Sequence, residues 1–138
     1  MSLDCVFCKI AKGELPSQKV YENEMVLAIL DINPIAFGHT LVLPKSHAET
    51  FNDLRPDILG ELVVRAQQVA RAVVRATGAQ GFNLLMNNGR CSGQAIDHAH
   101  WHVIPRKAED GVKYNWAPRK YGEGELQKHA DAIREALK

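Results

Sequence analysis

Three histidines stand at every second position of one short segment, and this spacing strongly constrains how the chain can fold. The chain has only six histidines, so half of them fall within residues 98–102. In a β-strand, successive side chains point to opposite faces of the sheet. The segment therefore predicts a strand with its histidines on one face and its apolar residues against the core. In order, the residues are His98, Ala99, His100, Trp101, His102 and Val103.

The spacing also limits the chemistry that these histidines can perform. Two residues of a strand span about 6.6 Å, so neighbouring imidazoles can act on one substrate but stand far apart for joint binding of one metal. Histidine has a pKa close to neutrality, and a row of three can therefore supply a nucleophile and proton donors together. A zinc site built from all three histidines is the main chemical alternative. Ordinary hydrogen-bonded histidines are the other alternative.

The remaining sequence pattern predicts an α+β domain. Apolar residues recur at three-to-four spacing over residues 54–77, which indicates a long amphipathic helix with Asp53 or Asp57 as its cap. We expect a second helix over 123–137 and a short one capped by Asp4. Strands are expected over 19–23, 25–32, 39–43, from residue 81 and at the histidine segment. We therefore predict an antiparallel β-sheet of about five strands with one long and one C-terminal helix.

Bulk properties exclude several classes of partner. The length of 138 residues is typical of one domain, which we expect over residues 1–138. A net charge of +1 predicts no nucleic acid partner and no anionic membrane partner. The first ten residues lack the pattern of an export signal, and the apolar stretches are too short to span a bilayer. Three cysteines do not resemble a disulfide framework, so we expect a cytoplasmic location.

The segment "HAHWHVI", residues 98–104, resembles the histidine triad motif at all seven positions. The similarity extends to "CVFCKIAKGELPSQKVYE", "LAILDINPIAFGHTLVLPKSH" and "GFNLLMNNG". The chain is thus identified as similar to the small bacterial proteins of the histidine triad superfamily, in its nucleoside phosphoramidase-like branch. The resemblance implies a HIT-like fold and a purine nucleotide or nucleotide conjugate as the ligand.

The resemblance also implies a role for three histidines. His100 would attack the α-phosphorus of a nucleotide and form a covalent nucleotidyl-imidazole, which water then hydrolyses. Neutral imidazole is a competent nucleophile near pH 7. Splitting the reaction into two displacements avoids direct attack by water on the shielded phosphate of the substrate. His102 would hold and polarise the phosphate. His39 matches the fourth histidine of the family's site.

Four further residues match substrate contacts of the family. Asp31 would bind the ribose hydroxyls, although its position before Asn33-Pro34 also suits the capping of a turn. Asn87, Gly93 and Gln94 would form a phosphate loop, because a glycine lets backbone N–H groups approach a phosphate. A simple polar turn is the alternative for this loop. The residues that line a base pocket, or belong to the ordinary core, would be Phe7, Ile10, Leu30 and Ile32.

One position departs from the family. Phosphoramidase-type members carry a serine or threonine after the Gly-Gln pair that protonates the leaving amine, and this chain has Ala95. The implied substrates are phosphoramidates, aminoacyl adenylates or dinucleoside polyphosphates. Either another group or water protonates the leaving group here, or the preferred leaving group, such as a phosphate or pyrophosphate, needs less help. The alternative function is a zinc-stabilised purine-nucleotide-binding or regulatory protein with little activity.

The pair Cys5-x-x-Cys8 is by itself compatible with two buried thiols, a redox pair or half of a metal site. The resemblance adds His47 and His98, and these four residues would form a structural Zn²⁺ site, since two thiolates and two imidazoles suit tetrahedral zinc. The resemblance also implies a homodimer. Three aromatic residues would either cover the partner's site or pack locally, namely Tyr114, Trp116 and Tyr121.

Overall fold

A five-stranded antiparallel sheet forms the centre of the protein, whose computed structural model describes residues 4–138. The strands are arranged in the order β1-β2-β3-β5-β4. Within the described residues, three α-helices and two short 3₁₀-helices accompany the sheet, which agrees with the predicted α+β fold. The elements are α1 Val6–Ala11, β1 Lys19–Glu22, β2 Val26–Leu30, β3 Thr40–Pro44, α2 Pro56–Thr77, β4 Gly81–Leu85, β5 Trp101–Arg106 and α3 Glu125–Ala136.

The central strands β2 and β3 are buried on both faces, which explains their nearly unbroken apolar sequences. One face carries Val26, Ala28 and Val42, which pack with the apolar side of α2. The opposite face carries Leu27 and Leu41, among others, and packs with α1. The two helices therefore cover opposite faces, and the small helix α1 closes the face on which the histidines lie.

The long helix α2 follows the predicted signals at its ends, apart from its cap. Pro56 occupies the first turn, and Gly78 ends the helix with a left-handed φ of 67°. The prediction of Asp53 or Asp57 as the cap is wrong, because the cap position is Arg55 and its side chain makes no capping hydrogen bond. Asp53 instead accepts hydrogen bonds from the backbone N–H and the hydroxyl of Thr50, one turn earlier.

The cap predicted for α1 is also wrong. The cap residue is Cys5 rather than Asp4, and the Cys5 thiol accepts the backbone N–H of Cys8 at 3.4 Å. The helix therefore begins one residue later than the sequence pattern indicates. Its two cysteines come to lie on the same side, at its first turn.

The histidine segment is only partly a strand. β5 pairs with β3 from Trp101 onward, so the predicted strand over residues 98–100 is wrong. The backbone of Ala99 instead donates to the carbonyl of Ala48 at 2.7 Å, outside the strand ladder. The alternation of faces persists, since Trp101 and Val103 pack on the α2 side while His98 and His100 contact Phe7 of α1.

The C-terminal part lies outside the sheet. In α3, Glu125–Ala136, none of the described side chains is buried. The preceding segment is anchored by Arg106, which makes two hydrogen bonds to Asp110. Tyr114 and Trp116 stack on each other at 4.9 Å, which supports local packing for this pair. Among the described residues, no helix is both long and apolar enough to cross a membrane.

Candidate active site and metal centre

Two cysteines and two histidines meet beneath α1, and we call them the metal cluster. Cys5 and Cys8 come from the start of α1, His47 follows β3, and His98 precedes β5. Their four ligand atoms all lie within 4.8 Å of one another. Both cysteines and His98 are buried, and His47 is half-buried. The structure therefore brings together all four residues that the resemblance assigned to a metal.

The distances and tautomers fit a tetrahedral metal. His98 Nδ1 lies 3.3 Å from Cys5 Sγ and 3.6 Å from Cys8 Sγ. His47 Nδ1 lies 3.4 Å from Cys8 Sγ. Tetrahedral zinc with Zn–S of about 2.3 Å and Zn–N of about 2.0 Å separates such atoms by about 3.5 Å. His98 Nε2–H donates to the carbonyl of Pro44 at 2.7 Å, which leaves the Nδ1 lone pair for the metal.

A second group, which we call the imidazole cluster, consists of His39, His100 and His102. The Ile35 backbone N–H donates to His39 Nδ1 at 3.1 Å. Because a backbone N–H can only donate, neutral His39 carries its proton on Nε2. This Nε2–H donates to His102 Nδ1 at 2.9 Å. His102 in turn carries its proton on Nε2, so the direction of the chain is fixed by the backbone.

Asp31 lies beside this chain, with Oδ2 at 3.6 Å from His39 Nε2. Ligand-type atoms of Asp31, His39 and His102 lie within 4.8 Å of one another, as in a metal site. A metal here would compete with the Ile35 N–H, because a His39 that accepts at Nδ1 and binds metal at Nε2 would have to be an imidazolate. The geometry therefore favours a chain of hydrogen bonds.

His100 is oriented in the opposite sense. Its Nδ1–H donates to the carbonyl of His98 at 2.7 Å, which leaves the Nε2 lone pair unprotonated. The ring is 6% exposed, and its centroid lies 4.8 Å from that of His102 and 5.0 Å from that of Phe7. The structure thus contains a carbonyl partner that fixes the tautomer of this imidazole.

Burial keeps these histidines neutral near pH 7. It lowers the pKa of His102 to about 4, against an ordinary value of 6.5. Burial also lowers the pKa of His100 and of His39, although the charge of nearby Asp31 opposes the shift in both. The arrangement can therefore offer one imidazole lone pair, on His100, next to one imidazole N–H donor, on His102.

The predicted phosphate loop lies just before the histidine segment. Gly93 has a φ of 106°, and a Cβ there would lie 3.4 Å from Asn87 Nδ2. Gln94 is buried, and its Oε1 accepts the N–H of Gly89 at 2.7 Å. Its Nε2 donates to the carbonyls of Glu49 and Ile96 at 2.6 and 3.0 Å. The Gln94 side chain therefore shapes the loop, and Gly93 gives it the turn that only glycine adopts without strain.

The remaining predicted contacts are Asp31 and the four residues expected in a base pocket or the core, and their surroundings differ. Asp31 caps a turn through Oδ1, which accepts the Asn33 N–H at 2.8 Å, and its Oδ2 faces His39. Phe7 and Ile10 are buried in the core, whereas Leu30 is 39% exposed and Ile32 is 90% exposed. Ile32 is therefore not a core residue.

Ala95 is exposed and lines a cavity of about 490 Å³ beside the metal cluster. Ser92, the nearest hydroxyl in the sequence, donates to the carbonyls of Asn88 and Gly89. Its proton is thus directed into its own loop. Residue 95 therefore has no hydroxyl to offer, and the Ser92 hydroxyl is engaged by carbonyls of its own loop.

Comparison with known proteins identifies the family of this chain. The HIT domain family model matches residues 12–109. The chain belongs to the HIT domain family. Adenylylsulfatase HINT3 of Arabidopsis thaliana is 48% identical over 107 residues, which cover 78% of this chain and 54% of that protein. The chain therefore spans about half the length of this relative.

Adenosine 5′-monophosphoramidase hnt1 of Schizosaccharomyces pombe is 34% identical, and the match covers 99% of this chain and 100% of that protein. Both relatives carry the names of hydrolases.

Solved structures of the family confirm the predicted fold. SMU.412c of Streptococcus mutans superposes with a TM-score of 0.94 at 38% identity, covering 100% of this chain and 88% of that one. A zinc-bound histidine triad family protein of Mycobacterium smegmatis superposes with a TM-score of 0.77 at 35% identity, covering 100% of both chains. In this chain, the four residues of the metal cluster could themselves hold a metal ion.

Backbone groups are the members of the site that sequence reasoning missed. The Ile35 N–H and the Pro44 carbonyl fix the protons of His39 and His98, yet no side-chain pattern marks either residue. The contact of Phe7 with two histidine rings was missed as well. Its only signal in the sequence is its position between Cys5 and Cys8.

Proposed function

We propose that the protein hydrolyses nucleotide conjugates at the α-phosphate through a covalent nucleotidyl intermediate on His100. The observation that carries the proposal is the 2.7 Å hydrogen bond from His100 Nδ1–H to the His98 carbonyl. This bond leaves a neutral, buried imidazole with its Nε2 lone pair available for attack. Relatives named adenylylsulfatase and adenosine 5′-monophosphoramidase support an adenosine nucleotide as the bound part of the substrate.

The reaction has two displacements. His100 Nε2 first attacks the α-phosphorus, forming a P–N bond while the bond from phosphorus to the leaving group breaks. Water then attacks the same phosphorus, the P–N bond breaks, and the nucleoside monophosphate leaves. The proton stays on His100 Nδ1 throughout, and its hydrogen bond to the His98 carbonyl stabilises the positive charge on the imidazole of the intermediate.

His102 and His39 prepare the phosphate for attack. The Nε2–H of His102 donates to a non-bridging phosphate oxygen. This donor is present because His39 Nε2–H donates a hydrogen bond to His102 Nδ1, which keeps the proton of neutral His102 on Nε2. Asp31 binds the ribose through the carboxylate oxygen that faces this cluster. Asn87 and the turn at Gly93 bind the phosphate, in the loop whose shape Gln94 maintains.

The leaving group determines which conjugates react fastest. Ala95 has no hydroxyl, so a leaving amine takes its proton from water. A sulfate, phosphate or pyrophosphate leaves as a stable anion and needs no such donor. Among phosphoramidates, aminoacyl adenylates and dinucleoside polyphosphates, we therefore expect the conjugates with acidic leaving groups to react faster.

The metal cluster has a structural role in this proposal. Cys5, Cys8, His47 and His98 would hold Zn²⁺, which ties α1 and the loop after β3 to the histidine segment. Closed sets of four protein ligands are typical of structural zinc, whereas catalytic zinc keeps a position for water or substrate.

The assembly we propose is a homodimer. β4 lies at the edge of the sheet, and its Phe82 and Leu84 are 45% and 42% exposed. An unpaired edge with apolar side chains favours pairing with a second copy. A net charge of +1 supports the absence of nucleic acid and membrane partners, and we place the protein in the cytoplasm.

The experiment that tests the catalytic proposal is intact-mass spectrometry of the protein mixed with adenosine 5′-phosphoramidate. We expect an AMP adduct on the parent chain and none on His100→Ala. His129→Ala is the matched control, because His129 lies on the exposed helix α3. A parent chain that binds AMP without adduct or turnover would instead be a nucleotide-binding or regulatory protein.

A further inference from the structure

We infer that Phe7 is a positioning residue for His100, and that it couples the metal cluster to the nucleophile. The inference deepens the proposed function and rests on it for the role of His100. The resemblance placed Phe7 among residues of a base pocket or the core. The contacts of its ring point to a different task.

The ring of Phe7 touches two histidine rings edge-on. Its centroid lies 5.0 Å from that of His100, with the two ring planes at 79°. It also lies 5.7 Å from the His98 centroid, at 88°. Phe7 is only 3% exposed, so it has little freedom to turn away. T-shaped contacts of this kind are favourable and fix the relative orientation of two rings.

His100 has one remaining degree of freedom that such a contact can restrain. The hydrogen bond from Nδ1 to the His98 carbonyl holds one edge of the imidazole, but the ring can still tilt about that bond. Tilting would move Nε2 away from the line of attack on phosphorus. A flat, immobile ring packed on the imidazole opposes the tilt, and correct alignment of reacting atoms contributes strongly to rate.

The metal cluster holds Phe7 in place through α1. This helix has six residues, which is too short to be stable alone, and Phe7 stands between its two cysteines. Cys5 and Cys8 both contact His98, and Cys8 also contacts His47. A metal on these four residues would therefore fix the helix that carries Phe7.

His98 provides a second connection between the same two places. Its Nδ1 faces the cysteines, and its backbone carbonyl accepts the Nδ1–H of His100. The metal cluster is thus connected to His100 in two ways, directly by the carbonyl of His98 and through α1 by the ring of Phe7. Of the two, only the ring can be changed without altering a ligand or the backbone.

The test compares Phe7→Leu with Val69→Ala. Leucine keeps an apolar side chain but removes the flat ring, and Val69 is a buried residue of the core on the opposite face of the sheet. For Phe7→Leu we expect kcat to fall about tenfold while KM stays within about twofold. The metal content per chain should not change. Val69→Ala should lower the melting temperature without this loss of kcat.

A second measurement needs neither substrate nor turnover. The His100 Nδ1–H signal in side-chain ¹⁵N–¹H spectra of the nucleotide-free protein should shift and exchange faster with water in Phe7→Leu. It should be unchanged in Val69→Ala. This measurement separates the two proposals, because it reports on Phe7 even if no AMP adduct forms on His100.

Three results would overturn the inference. A higher KM with unchanged kcat and an unchanged His100 signal would make Phe7 a base-pocket residue. Equal losses of kcat in Phe7→Leu and Val69→Ala would reduce the effect to general stability. In a double-mutant cycle, strictly additive losses of kcat for Phe7→Leu and Cys8→Ser would remove the coupling to the metal cluster.

Discussion

The metal cluster and the imidazole cluster lie side by side and both contain histidines, yet the backbone prepares these histidines differently. In the metal cluster, a carbonyl accepts the Nε2–H of His98 and directs the Nδ1 lone pair at two thiols. In the imidazole cluster, a carbonyl accepts the Nδ1–H of His100 and leaves the Nε2 lone pair unprotonated. In the proposed function, the same residue type would thus serve as a metal ligand or a nucleophile according to which ring nitrogen meets a carbonyl.

His39 shows the third outcome. A backbone N–H, rather than a carbonyl, meets its Nδ1, and the ring becomes a hydrogen-bond donor at Nε2. Neither side-chain identity nor burial distinguishes it from His98 and His100, since all three are buried. The comparison teaches that the partner of the second ring nitrogen decides what a buried histidine can do.

The largest expected effect is a loss of kcat that leaves the metal cluster unchanged. His100→Ala should lower kcat for AMP conjugates by about 10³-fold or more, because the nucleophile is removed. The metal content and the melting temperature should stay close to those of the parent chain. Hydrolysis at an undiminished rate would show that the lone pair of His100 is not the attacking group.

The metal cluster should respond in the opposite way. Cys5→Ala combined with Cys8→Ala should lower the melting temperature by about 10 °C, as expected for the loss of several kcal/mol of metal binding. Calorimetry measures this change, and Cys91→Ala is the matched control because Cys91 is exposed. A double variant with its full melting temperature but no turnover would contradict a structural role for the metal.

The hydrogen bond from His39 to His102 can be tested with two variants, one that removes the donor and one that keeps an N–H donor without the ring. His39→Leu removes the hydrogen bond to His102 and should lower kcat by a factor of about 5 to 30, equivalent to about 1–2 kcal/mol. His39→Gln keeps an N–H donor and should recover part of the rate. ¹⁵N shifts of His102 should show a mixture of tautomers in the leucine variant. A single, unchanged tautomer would contradict the directed chain.

Stability should fall in acid because the imidazole cluster is buried in its neutral form. As pH falls through 6.5, an unfolded histidine takes up a proton, whereas folded His102 stays neutral until about pH 4. The unfolded state binds more protons in this window, so the free energy of unfolding decreases as pH decreases. His102→Gln should reduce this pH dependence by at most about 1 kcal/mol, since His102 is partly exposed to solvent.

Urea unfolding of both proteins at several pH values between 7 and 4 measures the difference. Equal slopes against pH would show that His102 titrates normally in the folded protein.

The smallest expected effect concerns the protonation of the leaving amine, for which neither cluster supplies a proton. Ala95→Ser adds a hydroxyl beside the leaving group and should raise the rate with adenosine 5′-phosphoramidate about threefold, far below the gain from a dedicated acid. The rate with adenylyl sulfate should not change, because sulfate leaves without a proton. Ala95→Val is the control for added bulk. An equal gain with both substrates would assign the effect to binding.

Much of the fold could be predicted from periodicity. The amphipathic pattern before Gly78 and the apolar runs of β2 and β3 predicted elements that the structure confirms, because burial of apolar side chains decides both. The caps and the strand over residues 98–100 were not predictable in the same way. They depend on which backbone groups of distant segments lie next to each other in the fold. For example, the N–H of Ala99 donates to the carbonyl of Ala48 and not to a neighbouring strand. The single-domain extent of 1–138 and the homodimer stay predictions.

The sequence by itself determined which side chains this protein brings together. The alternate histidines, the Cys-x-x-Cys pair and the family pattern identified both clusters by residue, since these are matters of residue type and spacing. Only the tertiary structure decided how each histidine holds its proton. That choice depends on the carbonyls of Pro44 and His98 and on the N–H of Ile35. Every peptide unit offers such groups, so no residue type in the sequence records which of them a folded chain will place beside a ring.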